Sequence, residues 1–449
     1  MSEYVIRGAS LLGENVVDIQ VSGGIVTAVG TDLEAAGAVE IDASGLIALP
    51  GLVDPHTHLR EPGRENAETV LTGSQSAAAG GYTCVNAMAN TSPVQDNAGV
   101  VEQVLRLGQE AGYVDVAPVG AVSQNLAGQH LAELGAMAES AAKVRYFSDD
   151  GLCVADPVLM RRALEYVKSF DGVIAQHAQD PRLTEGAQMH EGDISAELGL
   201  AGWPAVAEEA IVARDCLLAQ HVGSRVHILH LSTRGSVDLV RWAKQNGMPV
   251  TAEATPHHLS LDHSEARSYD PRFKVNPPLR TRDDIEALRE GVADGTIDVI
   301  GTDHAPHPTE DKDCEWNAGA NGMIGLETAL SIVQESLVDN GLATWSDVAC
   351  LMSYEPARLC QNEGQGRPIE AGEPANICLY DPNTSRTIHG RDQHSKSRNT
   401  PWEGREITGR VLYTFFKGVP TLWNGELRSP EHISTDRSSI SVEGTGDAQ

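Results

Sequence analysis

Aromatic residues are scarce in this chain, at 4% of its 449 residues with five Phe. A core with so few rings must rest on Ala, Val, Leu and Ile, the residues that dominate layered α/β barrels. Hydrophobic residues at 41% suffice for a large core, and the length suits one large barrel or two to three smaller domains. Basic residues are also few: 33 Lys and Arg stand against 63 Asp and Glu, a formal net charge of −30 at pH 7. Such a surface repels phosphate backbones and anionic membranes, so neither nucleic acid nor a membrane is an expected partner. An acidic protein that handles an anionic substrate must focus positive charge locally, through metals or buried Arg. The seven cysteines (Cys84, Cys153, Cys216, Cys314, Cys350, Cys360, Cys378) are odd in number and spread out, contain no CxxC pair, and read as reduced packing residues. No run of about 18 apolar residues occurs and the opening MSEYVIRGAS lacks a basic-then-apolar leader, so spanning and secretion are not expected and the cytoplasm is the default location.

What is present is an alternation. Residues 1–50 hold short β-like runs separated by turn signals (YVIRGA, NVVDIQV, Gly23-Gly24, IVTAVG, AVEIDASG), and ANICLYDP with GRVLYTFFKGVPTLWNGEL near the other end has the same style. The two ends are expected to pair into one small β-sandwich, residues 1–50 with 366–430. Between them, eight apolar runs end in polar residues and alternate with helical stretches. They are LPGLVDPHTH (49–58), YTCVNAMAN (82–90), VDVAPVGAV (114–122), KVRYFSDD (143–150), GVIAQHA (172–178), RVHILHLS (225–232), PVTAEATPHH (249–258) and IDVIGTDHAP (297–306). Eight strand-plus-helix units over 51–365 predict an α/β fold of the (β/α)8 TIM-barrel type. Residues 431–449 form a polar tail, rich in Ser and Gly, expected to be loosely attached.

A barrel carries its active site at the C-terminal ends of its strands, and His56, His58, Asp150, His177, His230 and Asp303 all lie at such ends. His56 and His58, one residue apart on a strand, project to the same face and can reach one metal. Zinc accepts imidazole nitrogens at about 2.0–2.1 Å and leaves a position open for water in catalytic sites. His177 and His230 supply a second pair from strands five and six. Asp303, at the end of strand eight, can bind a metal and face the water. Four His and one Asp exceed the needs of one zinc, so two are expected, and two need a bridging ligand. YFSDDG supplies one, with Asp150 preferred to Asp149. A carboxylated Lys143 is the runner-up, disfavoured because it lies seven residues upstream, toward the wrong end of the strand.

Together HTHLREPG, ANTSP around Asn90 with FSDDG, NPPLR at 276–280 and GTDHAPHPTEDK at 301–312 resemble the dihydroorotases of the amidohydrolase superfamily, in their long bacterial form. The likeness spans residues 1–428. It implies the conversion of N-carbamoyl-L-aspartate to L-dihydroorotate and back, in pyrimidine biosynthesis, by a hydroxide shared between two Zn2+ with Asp303 as proton shuttle. The family's spacing also points to Asp150 as the bridge. An Asp there, where hydantoinases and allantoinases typically use a carboxylated lysine, favours dihydroorotase among its relatives. The resemblance further implies substrate contacts from His58, Arg60, Asn90, Asn276, His307, Asn321 and Gly322. Arg60 and Asn90 would grip the free carboxylate with His307 nearby, and Asn276 and the backbone at Asn321 and Gly322 would hold the ring's amide edges. Many relatives carry an apolar residue at the position of Asn321, which a backbone contact tolerates.

The polar segment HPTEDKDCEWNAGANG (307–322) after strand eight is expected to act as a mobile lid. His257 and His258 are assigned to supporting roles. A homodimer is expected, with association to an aspartate transcarbamoylase as a further partner. Two alternatives stand beside this reading: another cyclic amidohydrolase (hydantoinase, dihydropyrimidinase or allantoinase), and a catalytically silent scaffold for a transcarbamoylase.

Overall fold

A computed structural model describes residues 3–35 and 37–430; the tail expected at 431–449 lies outside them. The alternating runs at the N-terminus form β1 (Tyr4–Leu11), β2 (Asn15–Ser22), β3 (Ile25–Gly30), β4 (Val39–Asp42) and β5 (Ile47–Pro50). β1 pairs antiparallel with β2, and parallel with both β4 and β5. Turns at Gly13 and Gly23-Gly24 fold this meander, since their positive φ suits residues without a Cβ.

The barrel strands follow as β6 (Leu52–Thr57), β7 (Tyr82–Ala87), β8 (Asp115–Pro118), β9 (Tyr146–Phe147) and β10 (Val173–Gln176). After a two-stranded excursion, β11 (Met189–His190) with β12 (Gly202–Trp203), come β13 (Val226–Ile228), β14 (Val250–Ala254) and β15 (Val299–Ile300). Two all-parallel sheets, β6-β7-β8 and β9-β10-β13-β14-β15, are joined at both seams by single parallel bridges, Gly120 to Phe147 and Thr57 to His304. The barrel is thereby closed, and its eight strands are the eight apolar runs of the sequence.

Helices cover the outside, each with local reasons for its limits. Residues Ala98–Ala111 start at Asn97, whose side chain accepts from Val100 N, and stop at Gly112 in the left-handed region. Their apolar stripe of Val100, Val101, Val104 and Ala111 is buried. Residues Arg282–Ala293 start from a capping box of Thr281 and Asp284. No helix of the described residues is long and apolar enough to cross a membrane.

β16 (Ile377–Thr387), β17 (Glu406–Phe416), β18 (Val419–Trp423) and β19 (Glu426–Leu427) extend the N-terminal strands into a single sheet rather than the two layers of the expected sandwich. β16 pairs antiparallel with β5, Ile377 opposite Pro50 and Tyr380 opposite Ile47, so both chain ends enter one nine-stranded sheet. That sheet curls over its own core of Tyr4, Ile6, Ile19, Val21, Leu379 and Phe415. Between β16 and β17 the chain leaves the sheet, and Ile388 and Trp402 pack with Leu261, Val275, Leu279 and Met323 beside the barrel mouth.

Candidate metal centre

All six expected ligands converge on the barrel axis, each at most 5% exposed. His56 lies within β6 and His58 just beyond it, and alternation along the strand turns both rings inward. His177 follows β10 directly, while His230 and Asp303 sit two and three residues past β13 and β15. These last two, with Arg60, hold positive φ (29°, 46° and 64°), a strained backbone that places side chains at functional sites.

Asp150 is the hinge of the arrangement. Its Oδ2 lies 3.1 Å from His58 Nε2 and 3.3 Å from His56 Nε2, while Oδ1 lies 3.2 Å from both His177 Nδ1 and His230 Nε2. Asp303 Oδ1 closes the first group at 3.1 Å from His58 Nε2 and 3.4 Å from His56 Nε2. Two ligand groups therefore share one carboxylate: His56, His58, Asp150 and Asp303, and Asp150, His177 and His230, with the donor atoms of each within 4.8 Å of one another. Asp149 points the other way, accepting from Val122 N, Ser123 N and the Ser123 hydroxyl. Lys143 is exposed at the opposite end of the strand. Burial alone would raise the Asp150 and Asp303 carboxyls, but the surrounding imidazoles outweigh it and hold both below the usual range.

Three of the four imidazoles have their other nitrogen fixed by a protein acceptor. His56 Nδ1 donates to Glu253 Oε1 at 2.8 Å, His58 Nδ1 to Asn90 Oδ1 at 2.9 Å, and His177 Nε2 to Gln179 Oε1 at 2.8 Å. Such partners fix the tautomer and aim the remaining nitrogen at a metal. His56 Nε2 is buried without a hydrogen-bond partner, as a nitrogen meant for a cation would be.

Around this centre lie the expected substrate residues. Arg60 is buried, its Nε donating to Pro306 O at 3.1 Å, and burial, then the neighbouring Arg64, lower it to about 10. Asn90 spends its Oδ1 on His58. Asn276 Nδ2 donates to Gln179 Oε1 at 3.0 Å, while its Oδ1 is buried and unpartnered. His307 Nε2 donates to Asn321 O at 2.7 Å, and burial, then Arg60, lower this imidazole to about 2, so it is neutral. Gly322 has φ of 131°, and a Cβ there would meet Ala305 Cβ at 2.6 Å, so glycine is required. His258 is also neutral, pushed well down by burial and held by Thr255 Oγ1 and Pro277 O. Burial lowers His257 to about 4.

A family model described as dihydro-orotase-like matches residues 45–236. Curated relatives named dihydroorotase align along nearly the whole chain. The one from Streptomyces coelicolor is 64% identical over 427 residues, covering 95% of this chain and 100% of the relative. The one from Mycobacterium tuberculosis is 52% identical over 427 residues, covering 95% and 99%. The chain belongs to the dihydroorotase family. Among solved structures, the L-hydantoinase (dihydropyrimidinase) of Arthrobacter aurescens superposes with a TM-score of 0.84 at 24% identity, over 95% of this chain and 98% of that one. The dihydropyrimidinase of Brevibacillus agri does so with a TM-score of 0.81 at 24% identity, over 95% and 96%. At that identity the likeness shows the shared barrel fold alone.

Several residues of this dihydroorotase-family site escaped sequence reasoning. Glu253 is the chief one: fully buried on β14, its Oε1 also accepts from His230 N at 3.2 Å, and Gly301 makes room for it, since a Cβ there would meet the carboxylate at 2.5 Å. The signal was a lone acid inside the apolar run PVTAEA, where charges are rarely buried unless paired. Asp54 accepts from His56 N, Thr57 Oγ1, Thr302 N and Thr302 Oγ1, stapling β6 to the segment that carries Asp303. Asn399 donates to Ala305 O and Gly322 O and accepts from His307 N, pinning the loop after β15 from a distant part of the chain.

Proposed function

We propose that the protein is a dihydroorotase: it cyclises N-carbamoyl-L-aspartate to L-dihydroorotate with loss of water, and reverses that reaction, in pyrimidine biosynthesis. The observation that carries this reading is 64% identity to a curated dihydroorotase across its full length. The site supports it. One ion would be held by His56, His58, Asp303 and Asp150, and a second by Asp150, His177 and His230, and we assign both as zinc because sets of two imidazoles with carboxylate suit it. Bound there, zinc acidifies water toward neutral pH and polarises the carbonyl under attack.

The chain's own groups do the rest. Asp303 takes the proton of the attacking water in ring opening and delivers it to the departing ring nitrogen; in ring closure it runs the same transfer backward. Its carboxyl, held below the usual range by the neighbouring imidazoles against the effect of burial, is ionised, the state from which a proton can be taken up. Arg60 grips the substrate's free carboxylate, bidentate geometry being what a guanidinium offers. Asn90 holds the His58 ring and presents its amide to the same carboxylate, and the unpartnered Asn276 Oδ1 accepts from a ring N–H. His307 stands near that carboxylate and buttresses the backbone of Asn321, which with Gly322 would hold the ring's amide edge.

Metal analysis paired with assays on dihydroorotate, hydantoin, dihydrouracil and allantoin tests the reading. Two zinc per chain and preferential turnover of dihydroorotate are expected. Preference for any other ring overturns the substrate assignment, and less than one zinc with no turnover favours the silent scaffold. The assembly we expect is a homodimer, with association to an aspartate transcarbamoylase, checked by light scattering with and without that enzyme. Seven unpaired cysteines support a reducing, cytoplasmic setting.

A further inference from the structure

Two lysines that the proposed chemistry does not use are buried beside the barrel mouth, Lys274 at 6% exposed and Lys312 at 7%. Lysines are almost never this buried unless paired with an acid. The lysine ion pairs among the described residues are Lys244 with Asp298 and Lys417 with Asp115; neither buried lysine has one. Each instead reaches across to the other's loop. Lys312 Nζ donates to Pro271 O at 2.9 Å and Lys274 O at 3.2 Å. Lys274 Nζ donates to Trp316 O at 2.8 Å and Asn317 O at 3.3 Å. Gly322 N adds a third tie to Lys274 O at 2.9 Å.

The two loops joined this way are the ones that carry Asn276 and His307. Lys274 precedes Asn276 by two residues, and the loop from His307 to Gly322 is closed on itself by the His307 to Asn321 hydrogen bond. Holding two ammonium groups near each other with no ion pair to either is unfavourable; burial, then Lys274, lower Lys312 to about 7 although Asp270, Cys314 and Asp311 pull the other way. Two apolar side chains would hold a passive turn more cheaply. The segment expected to be a mobile lid is thus tied by hydrogen bonds to the loop that carries Asn276.

We propose that Lys274 and Lys312 form a reciprocal clasp that sets the spacing between Asn276 and His307, and so act as positioning residues for binding the cyclic substrate. The inference rests on the dihydroorotase reading. Its test replaces each lysine by Met, which keeps the stem and removes the donors, singly and together. In wild-type protein, turnover of dihydroorotate is measured first; failure there sinks the function and leaves the clasp to be judged by amide exchange. With turnover in hand, each variant is expected to raise KM about tenfold to a hundredfold with kcat within about twofold, a loss of about 1.4–2.8 kcal/mol in binding. The double variant should be no worse than the more damaging single, because either lysine alone releases the clasp. Exchange at the amides of Ala320 and Gly322 should speed up in all three. Unchanged KM, unchanged exchange, or a kcat loss as large as the KM rise overturns the proposal. Should the variants not fold, slow exchange across 309–322 in the wild-type enzyme supports the clasp and rapid exchange there overturns it.

Discussion

Replacing Glu253 by Gln isolates the charge behind the first metal position. Glu253 Oε1 receives the His56 Nδ1 proton at 2.8 Å and the His230 amide at 3.2 Å in a fully buried setting. Gln keeps an acceptor oxygen for both donors, and its new amide can face His227 Nε2, which lies 3.7 Å from Glu253 Oε2 and has no hydrogen-bond partner. Fold and shape are preserved and only the charge is lost. A hydrogen bond to a charged group contributes about 1.5–3 kcal/mol against about 0.5–1.5 for a neutral pair. The difference, about 1–1.5 kcal/mol, corresponds to roughly tenfold in affinity, at the low end of the roughly 10–100-fold seen when such outer partners of metal-bound His are changed.

Glu253→Ala goes further, leaving two buried donors unpaired and a void, and should approach the hundredfold end with added loss of stability. The assay is zinc titration of metal-depleted protein against a competing chelating dye, resolving two binding steps. The loss should fall mainly on the step that uses His56, with the other nearly unchanged. An isotherm for Glu253→Gln that overlays the wild-type curve would refute the reasoning.

Asp303→Asn should leave the fold and most of the bound metal in place but abolish turnover in both directions; near-wild-type kcat in either direction removes the proton-carrying role. Arg60→Met should raise KM for dihydroorotate by at least about tenfold, through loss of a charge-assisted pair, and leave any trace activity on dihydrouracil unaltered, because that ring has no free carboxylate. Equal loss on both substrates would assign Arg60 to structure. Asp215, fully buried, has its carboxyl raised from 3.8 to about 6 by burial, although Arg214 and Gln176 oppose the shift. The folded state therefore binds this proton more tightly than the unfolded chain, and the residue's contribution to stability falls as pH rises from about 4 to about 6 and is constant above. Asp215→Asn should gain on the wild type by up to about 3 kcal/mol between pH 4 and pH 7 in urea unfolding; a pH-independent difference contradicts it.

The barrel was legible because its signal is local. Each of β6 to β10 and β13 to β15 lies inside one apolar run, and a run that stops at a His or Asp marks the C-terminal end. The joining of the two chain ends was legible only as a similarity of style. Its actual form depends on β16 lying against β5, more than 300 residues apart in sequence, and nothing near Ile47–Pro50 announces that neighbour. The passage from Ile388 to Trp402 falls within the stretch expected to join the small sheet, yet Ile388 and Trp402 pack beside the barrel mouth. Its apolar residues fit either surface, and only the packing partners decide.

The ligands and their supports differ in the same way. His56 and His58 share a face through strand periodicity, which a sequence displays. Their outer partners do not follow from any spacing: Glu253 is 197 residues from His56, and Asn399 is 92 from His307. The choice between Asp149 and Asp150 lies at the boundary of these cases. Both follow β9, where strand periodicity has ended, so spacing is silent on which of the two faces the imidazoles. Ser123 and the amide of Val122 decide it, because they offer Asp149 a complete set of donors on the outer side. With that carboxylate satisfied, Asp150 is left among four imidazoles, each within 3.3 Å, the placement that the proposed bridging role requires.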